Sequence, residues 1–254
     1  MKKIFFLLFA IIIFTGCNSD DDNDTTGQNA NVTFSFTHNW DGANFTNANF
    51  GNTNYTNANG DVLNIERLRY LISNIKFKKA NGETVVFDGY HLVDVSQTGT
   101  LSFSPSLNAP LDNYSSMTFI FGLVEANNIS GAYPDLNSVS WNWPDMLGGG
   151  YHFMQMDGNY QIENSSFAPF NFHHGTARVS EGIFEQNFFE VNLAGFTLTS
   201  DADIEIKMNI AEWFKNPNTW DLNVYNTDLM MNYTAQKLMQ QNGGSVFSLG
   251  TVSQ

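Results

Sequence analysis

Short segments in which apolar and polar residues alternate recur along most of this 254-residue chain. Residues 32–38 carry an apolar side chain or a histidine at every second position, and residues 72–77 repeat the pattern. A period of two directs neighbouring side chains to opposite faces of a β-strand. Asn81 and Gly82 then form a hairpin turn signal. Further strands are predicted at residues 90–95, 117–124, 150–156, 188–198 and 203–209.

The spacing of these segments favours an all-β fold. Turns rich in Asn, Gly, Pro and Ser separate them, which is typical of a β-sandwich of antiparallel strands. A short C-terminal α-helix is predicted over residues 227–241, with Thr227 or Asp228 as its N-cap and Gly243 and Gly244 at its end. Its methionines are expected to pack against the sandwich, and a Met-rich copper-binding strip is the less favoured alternative.

Two other segments carry weaker patterns. Residues 65–71 are predicted to form a turn or two of helix. Residues 44–50 and 54–60 share an Asn-rich pattern, and two copies are too few for a solenoid, so we interpret them as a hairpin. A calcium site beside Asp61 is a minor alternative.

The N-terminus has the order of signals found in an exported lipoprotein. Lys2 and Lys3 precede an apolar run over residues 4–14, and small residues lead to Cys17. The run is too short for a membrane-spanning helix, which needs about 20 residues. We therefore predict a signal peptide over residues 1–17 and a lipid on Cys17. Because Cys17 is the single cysteine, neither an intramolecular disulfide nor a thiolate metal site is available.

Residues 18–30 are predicted to be a disordered acidic linker, followed by one domain over residues 31–254. The linker contains Asp20, Asp21, Asp22 and Asp24 and no apolar stretch. Its position resembles the acidic export tag of surface lipoproteins in Bacteroidota. This favours a surface-exposed outer-membrane lipoprotein, with a periplasm-facing lipoprotein as the alternative.

The net charge of −14 argues against nucleic-acid binding, because a phosphate backbone needs a basic surface. It is compatible with binding of cations. The nucleophile elbow, the H-E-x-x-H zinc motif, the P-loop and the dinucleotide fingerprint are all absent from the sequence. We therefore expect a binding protein rather than an enzyme.

The five histidines are the candidate metal ligands. Neutral imidazoles that converge without thiolates suit copper or zinc, and the scarcity of carboxylates favours copper. His173 and His174 are adjacent, so an extended chain would direct them to opposite faces. For each of these histidines, and most of all for His91 and His152, a hydrogen-bonded or surface imidazole without a metal remains the alternative.

Trp141 and Trp143 form a W-x-W pair whose indoles would share one face of a strand. The sequence leaves three interpretations of this pair open. The indoles could be core residues, they could form an exposed platform on which sugars stack, or one could lie beside a metal and be oxidised by it or by a partner.

Taken together, the motifs resemble the MbnP-like family of exported copper-binding proteins, which are common as lipoproteins in Bacteroidota. The resemblance extends from Val32 to the C-terminal helix. The matching motifs are Phe34-x-Phe36-x-His38, residues 68–77 (LRYLISNIKF), Trp141-x-Trp143, Gly150-Tyr151-x-Phe153-x-x-Met156-Asp157-Gly158 and Phe172-His173-x-Gly175.

The resemblance implies a β-rich domain that binds copper, with a tryptophan converted to kynurenine in some members by a partner di-haem oxidase of the MauG type. His38 and His173 best match the family's ligands, with His152 and His174 as weaker candidates. Trp141 or Trp143 matches the modified indole, although residues 144–147 depart from the shorter family spacing. We expect an exported, lipid-anchored copper-binding protein, with a glycan- or protein-binding module as the alternative.

Overall fold

The computed structural model describes residues 27–162 and 166–254, and strands dominate its regular structure. The strands are β1 (Asn29–Ala30), β2 (Val32–Trp40), β3 (Ala43–Phe45), β4 (Tyr55–Thr56), β5 (Val62–Lys79), β6 (Thr84–Asp94), β7 (Ser102–Phe103), β8 (Ala109–Pro110), β9 (Asp112–Phe121), β10 (Met154–Gln161), β11 (Phe167–His174), β12 (Ala177–Ser180), β13 (Ile183–Glu185), β14 (Phe189–Leu198), β15 (Ala202–Asn209) and β16 (Phe247–Ser253). The α-helices are α1 (Pro134–Ser138) and α2 (Tyr233–Gly243). Short 3₁₀ helices occupy Asn47–Asn49, Thr98–Thr100, Glu125–Asn127, Asp145–Leu147, Ile210–Phe214 and Leu229–Met231.

Two large sheets form the β-sandwich that the sequence predicts. The first has the order β11-β10-β5-β9-β14, with β4 and β6 also paired to β5. The second has the order β16-β15-β2-β3, with β7 also paired to β2. The strand pairs are antiparallel apart from β2 and β15, which run parallel to each other. The fold class is confirmed, with this one parallel pair as a departure from the antiparallel pattern.

Aromatic side chains fill the space between the two sheets. The alternating burial of β2 confirms the predicted period of two in this strand. Its inward residues Phe34 and Phe36 meet Phe77 and Tyr70 of β5, at ring-centroid distances of 5.9 and 6.3 Å. Edge-to-face contacts of this kind add to the large apolar area that each ring removes from water.

A second, smaller core lies on the outer face of the first sheet. The chain between β9 and β10 crosses this face, and it buries Leu136, Trp141 and Tyr151 against Leu71 of β5. The central part of β5 is therefore covered on both sides, which explains why Tyr70, Leu71, Ile72 and Ser73 are buried in succession. We call the segment over residues 122–153 the covering layer.

Several local predictions were wrong. Residues 65–71 belong to β5 rather than to a helix. Helix α2 begins at Tyr233, with Asn232 as its N-cap, several residues later than predicted. The two Asn-rich copies do not form a hairpin, because β3 pairs with β2 and β4 pairs with β5 in the other sheet.

The N-terminal boundary also differs from the prediction. The predicted linker includes Asn29 and Ala30, but these residues form β1 and pair with Pro110 and Ala109 of β8. The predicted signal peptide, Cys17 and most of the acidic linker lie outside the described residues. Within residues 27–162 and 166–254, no helix has the length and apolarity needed to cross a bilayer.

Candidate metal centre

Strand β11 separates its two histidines onto opposite faces of the first sheet. His173 lies opposite Gln155 of β10, which itself pairs with Arg69 of β5 on the outer face. His174 lies opposite Met154, which pairs with the core residue Tyr70 on the inner face. The register therefore places His173 and His174 on opposite faces of the sheet, as expected for adjacent residues of an extended chain.

His38 lies on the inner side of this sheet. Its Nε2 is 3.1 Å from the Tyr70 hydroxyl, between the two sheets. His173 is on the outer face, so the first sheet stands between the two imidazoles. The structure does not bring together the two histidines that the sequence and the family resemblance singled out, because the parity of β11 directs His173 away from the core.

The structure brings His152 to His173 instead. The covering layer returns to β10 through an isolated bridge between Asn142 and Tyr151, and the backbone N–H of His152 donates to the Trp141 carbonyl at 2.8 Å. This places the His152 ring over the outer face of the sheet. Its centroid is 5.3 Å from that of His173, and the two rings are almost perpendicular.

Hydrogen bonds fix the tautomer of each ring. His152 Nδ1 lies 3.1 Å from the Trp141 carbonyl oxygen, which can only accept, so Nδ1 carries the proton and Nε2 holds the lone pair. His173 Nε2 lies 2.8 Å from a carboxylate oxygen of Asp157. By the same argument His173 Nε2 donates, which makes Nδ1 the nitrogen of this ring that is available to a metal ion. Each ring therefore has one nitrogen outside these hydrogen bonds.

Burial and hydrogen bonding set the charge states of His152 and Asp157. Burial, and then the charge of neighbouring His173, lowers the pKa of His152 to about 3, so its ring is neutral at physiological pH. Burial would raise the pKa of Asp157, but the hydrogen bond and charge of His173, with help from Asn171 and Arg67, lower it to about 2. Asp157 is therefore an ionised acceptor for the His173 N–H.

The spacing of the two rings suits a shared metal ion. An imidazole ligand bond of about 2 Å puts the ion about 3 Å from the ring centroid, so two ligands of one ion have centroids about 6 Å apart when they lie opposite each other and about 5 Å apart near a tetrahedral angle. The His152–His173 distance of 5.3 Å falls in this range. Within the described residues, no group of three or more His, Cys, Asp or Glu is arranged to hold a metal. The donor set is two imidazole nitrogens, a ligand type that suits copper, and the small number of donors fits Cu(I).

Both tryptophans of the W-x-W pair are buried beside His152. The Trp143 ring centroid is 4.9 Å from that of His152, and the Trp141 centroid is 5.7 Å away. Trp143 packs directly on Gly175, where an added Cβ would lie 2.6 Å from the indole. Trp141 lies under the Arg69 guanidinium at 5.1 Å, and its Nε1 has no hydrogen-bond acceptor among the described residues.

The loop insertion at residues 144–147 positions Trp143. Asp145–Leu147 forms a 3₁₀ helix, and the Leu147 carbonyl accepts a 3.1 Å hydrogen bond from Trp143 Nε1. Gly150 follows with a φ of +82°, and a Cβ there would collide with the Asn128 side chain. Residues 144–147, which depart from the family spacing, therefore contribute to the packing of Trp143.

The remaining histidines have structural surroundings. His91 Nε2 bonds the Thr100 carbonyl at 2.7 Å. His174 is fully buried, and its Nε2 accepts from the Asn187 amide at 2.8 Å, while burial lowers its pKa to about 3. Burial likewise lowers the pKa of His38 to about 4.

Sequence reasoning missed Asp157 as the partner of His173. Asp157 stands two positions along the same strand face from Gln155, which is the direct cross-strand neighbour of His173. The signal was available in principle, because Asp157 belongs to one of the family-like motifs. To pair Asp157 with His173, one needs the register of β10 against β11, and a single sequence does not give this register.

A family model described as MbnP matches residues 29–232. A model of the prokaryotic membrane lipoprotein lipid attachment site matches residues 1–18, which include Cys17. No curated protein sequence matches the chain. A solved structure that aligns with it is MbnP from Methylosinus trichosporium, at 14% identity and a TM-score of 0.48, over 74% of this chain and 78% of that chain. The two models make the chain an exported, membrane-anchored lipoprotein, and it belongs to the MbnP family.

Proposed function

We propose that this lipoprotein binds one Cu(I) ion at His152 and His173 and acts as a binding protein, not an enzyme, in copper homeostasis or scavenging. The observation that supports this most is the 5.3 Å spacing of two rings whose tautomers are fixed by Trp141 and Asp157. His152 Nε2 and His173 Nδ1 are the nitrogens that would hold the ion. Copper, when bound, would supply a soft cation centre.

The surroundings of the pair support a site that discriminates between metals. A hydrogen bond from a ligand imidazole to a carboxylate fixes the ring and raises its basicity, and Asp157 would do this for His173. The buried indoles of Trp141 and Trp143 would exclude water from the His152 side. The nearby carboxylate is already engaged with His173 and Arg67, so the free donors are nitrogens.

We further propose that Trp143 is the indole open to conversion to kynurenine by a partner di-haem oxidase. Its ring is closer to His152 than that of Trp141. The conversion breaks the C2–C3 bond of the indole, adds two oxygen atoms from dioxygen to those carbons, and then releases C2 as formate by hydrolysis. The intact mass of the native protein would show the gain of one oxygen and the loss of one carbon, and a Trp143→Phe variant would not.

The alternative of an exposed aromatic platform is not supported. Trp141 and Trp143 are 0% and 1% exposed, and Trp40 is also buried at 8%. A sugar stacks on an open ring face, and none of these three rings offers one. Glycan binding through this W-x-W pair would require the covering layer to open.

The copper proposal is tested on the full lipoprotein purified in detergent, by competition with a chromophoric Cu(I) chelator. We expect about one Cu(I) per chain in the native protein and loss of that site in His152→Ala and in His173→Ala. His91→Gln is the matched control, because His91 bonds a backbone carbonyl away from the pair. Full binding in either alanine variant would overturn the assignment.

We also propose that Cys17 carries the lipid and that the domain faces the outside of the outer membrane, with the periplasmic face as the alternative. The lipid-attachment match and the acidic residues behind Cys17 support this. Protease treatment of intact cells distinguishes the two orientations, because a surface domain is cleaved while a periplasmic one is protected.

A further inference from the structure

A cleft beside His173 is lined by the methionines that are not buried in the core. Five methionines of the domain are fully buried, and these are Met117, Met154, Met156, Met208 and Met239. The other three, Met146, Met230 and Met231, all line one cleft of about 490 Å³ that also contains His173. We call this the thioether cleft.

Two of these three side chains are unusually exposed for methionine. Met146 is 66% exposed and Met231 is 54% exposed. Methionine is normally among the more buried residues, and a cluster of exposed apolar side chains commonly marks a binding surface. The prediction that the methionines around α2 pack against the sandwich therefore describes Met239 but not Met231, while Met230 is half-buried.

Buried hydrogen bonds hold the methionine-bearing turn against His173. The side-chain amide of Gln236 is fully buried, and it donates to the Leu229 carbonyl at 3.0 Å and to the His173 carbonyl at 2.7 Å. Residues 229–231 form the 3₁₀ helix that carries Met230 and Met231. One amide therefore links this helix to the strand position of the metal ligand.

The third methionine is linked to the other side of the centre. Met146 lies in the 3₁₀ helix Asp145–Leu147, whose Leu147 carbonyl accepts the Trp143 indole N–H. The cleft thus lies between two short helices, each joined by a buried hydrogen bond to an element of the His152–His173 site. Its lining includes His173, one of the two proposed ligands.

The chemistry of the lining selects the ligand class. Thioether sulfur is a soft donor that prefers Cu(I) over Zn²⁺, Mg²⁺ or Ca²⁺. Asp228 also lines the cleft and adds negative charge, in a protein whose net charge is already −14. An apolar peptide would gain nothing from Asp228 or from the imidazole, whereas a soft cation would gain from both.

We propose that the thioether cleft is a second, weaker site for Cu(I), from which the ion passes to His173 and then to the His152–His173 pair. This inference rests on the proposed function of that pair. The transfer is a ligand exchange in which thioether donors leave and imidazole nitrogens replace them. Copper remains Cu(I) throughout, so no electron or proton carrier is required.

The test uses Ag(I), a redox-inert substitute for Cu(I), with full lipoprotein in detergent that carries ¹³C-labelled methionine methyl groups. The probe is added to His152→Ala, which disables the pair while leaving every residue of the cleft in place. We expect the methyl signals of Met146, Met230 and Met231 to shift, and that of buried Met208 to stay. Shifts confined to other methionines, or no shifts, would overturn the proposal.

A second measurement follows the rate at which the native pair is loaded. Substituting all three cleft methionines with leucine keeps side-chain volume nearly constant, so folding should survive. We expect this variant to load Cu(I) about tenfold more slowly, with unchanged final stoichiometry, because association rates within one interface vary over about one to three decades. Met208→Leu, which removes a sulfur from the opposite sheet, is the control and should load at the native rate.

The outcomes separate this proposal from the proposed function. If the triple variant loads Cu(I) at the native rate and still binds it at the histidine pair, the proposal for the cleft is overturned. The assignment of the histidine pair then stands. Silver-induced methyl shifts without any Cu(I) bound at the pair support a soft-metal cleft and overturn the transfer step. Methyl shifts caused by an apolar peptide but not by silver would make the cleft a peptide-binding surface and overturn the proposal.

Discussion

The imidazole rings of His152 and His173 meet almost edge to face, with their centroids 5.3 Å apart and their planes inclined by 79°. One ring comes from a strand of the main sheet and the other from the layer that covers it. Their geometry therefore depends on how the covering layer is held down, as well as on the histidines themselves.

The carboxylate of Asp157 should set the affinity of His173 for metal. Asp157→Asn removes the charge that accepts the His173 N–H, and loss of such a partner typically costs 10- to 100-fold in metal affinity, so we expect a decrease of about that size. Chelator competition on folded protein measures it. Arg67→Gln removes the exposed ion-pair partner of Asp157 without touching His173, and it should have little effect. Equal losses in both variants would contradict the role given to Asp157.

Gly175 should be required for the packing of Trp143. In Gly175→Ala the new methyl group would lie 2.6 Å from the indole, so the ring or the strand must move. Overpacking of this kind typically costs about 1–3 kcal/mol in the free energy of unfolding, which urea denaturation measures. Gly99→Ala is the control, since a Cβ there meets no atom within 4 Å. Comparable stability of the Gly175 variant and the native protein would show that the covering layer yields easily.

The N-cap of α2 offers a direct comparison between the sequence prediction and the structure. The Asn232 side chain accepts from the Ala235 N–H, and replacing an N-cap with alanine typically costs about 1 kcal/mol. We therefore expect Asn232→Ala to lower the free energy of unfolding by about that amount. Thr227→Ala, at the cap predicted from sequence, should change it by less than about 0.5 kcal/mol. The reverse order would place the helix start where the sequence suggested.

Acid should destabilise the apo protein partly through His38. Burial lowers its pKa from 6.5 to about 4, so the unfolded state takes up a proton first as the pH falls. The stabilisation from neutral His38 is complete above pH 6.5 and is lost progressively towards pH 4. It amounts to at most about 3.5 kcal/mol, at about 1.4 kcal/mol per pKa unit.

The variant His38→Gln isolates this contribution. His152 and His174 also have lowered pKa values, so the variant should still lose stability in acid, but less steeply than the native protein. Urea unfolding at a series of pH values between 7 and 4 measures the two slopes. Parallel curves for the two proteins would show that His38 is not held in its neutral form by the fold.

The sandwich could be predicted because its signals are local. Alternation along β2 and the turn at Asn81 and Gly82 reflect side-chain direction and backbone preference, and both act within a few residues. Residues 65–71 were misread because β5 is buried on both faces, so Tyr70, Leu71 and Ile72 lose the alternation that marks a half-buried strand. The covering layer that causes this double burial arrives from a distant part of the chain.

Only the residue types of the candidate metal centre could be predicted from the sequence. His173 and the W-x-W motif were recognised, and His152 was included as a weaker candidate. The sequence-based choice of His38 as the partner does not take into account which face of the sheet His173 occupies. A shift of one position along β11 moves a side chain from the inner face to the outer face. Asp157 and the methionines of the thioether cleft reach His173 through cross-strand register and tertiary packing, which have no signature within a short window of sequence.

The central claim is that one Cu(I) ion is held by His152 and His173. X-ray absorption at the copper edge of the Cu(I)-loaded lipoprotein tests it most directly, because imidazole ligands give a nitrogen shell at about 2 Å with characteristic outer-shell scattering. We predict two imidazoles in the native protein, two in His38→Gln and fewer in His152→Ala. An unchanged spectrum in His152→Ala, or loss of an imidazole in His38→Gln, would contradict the account.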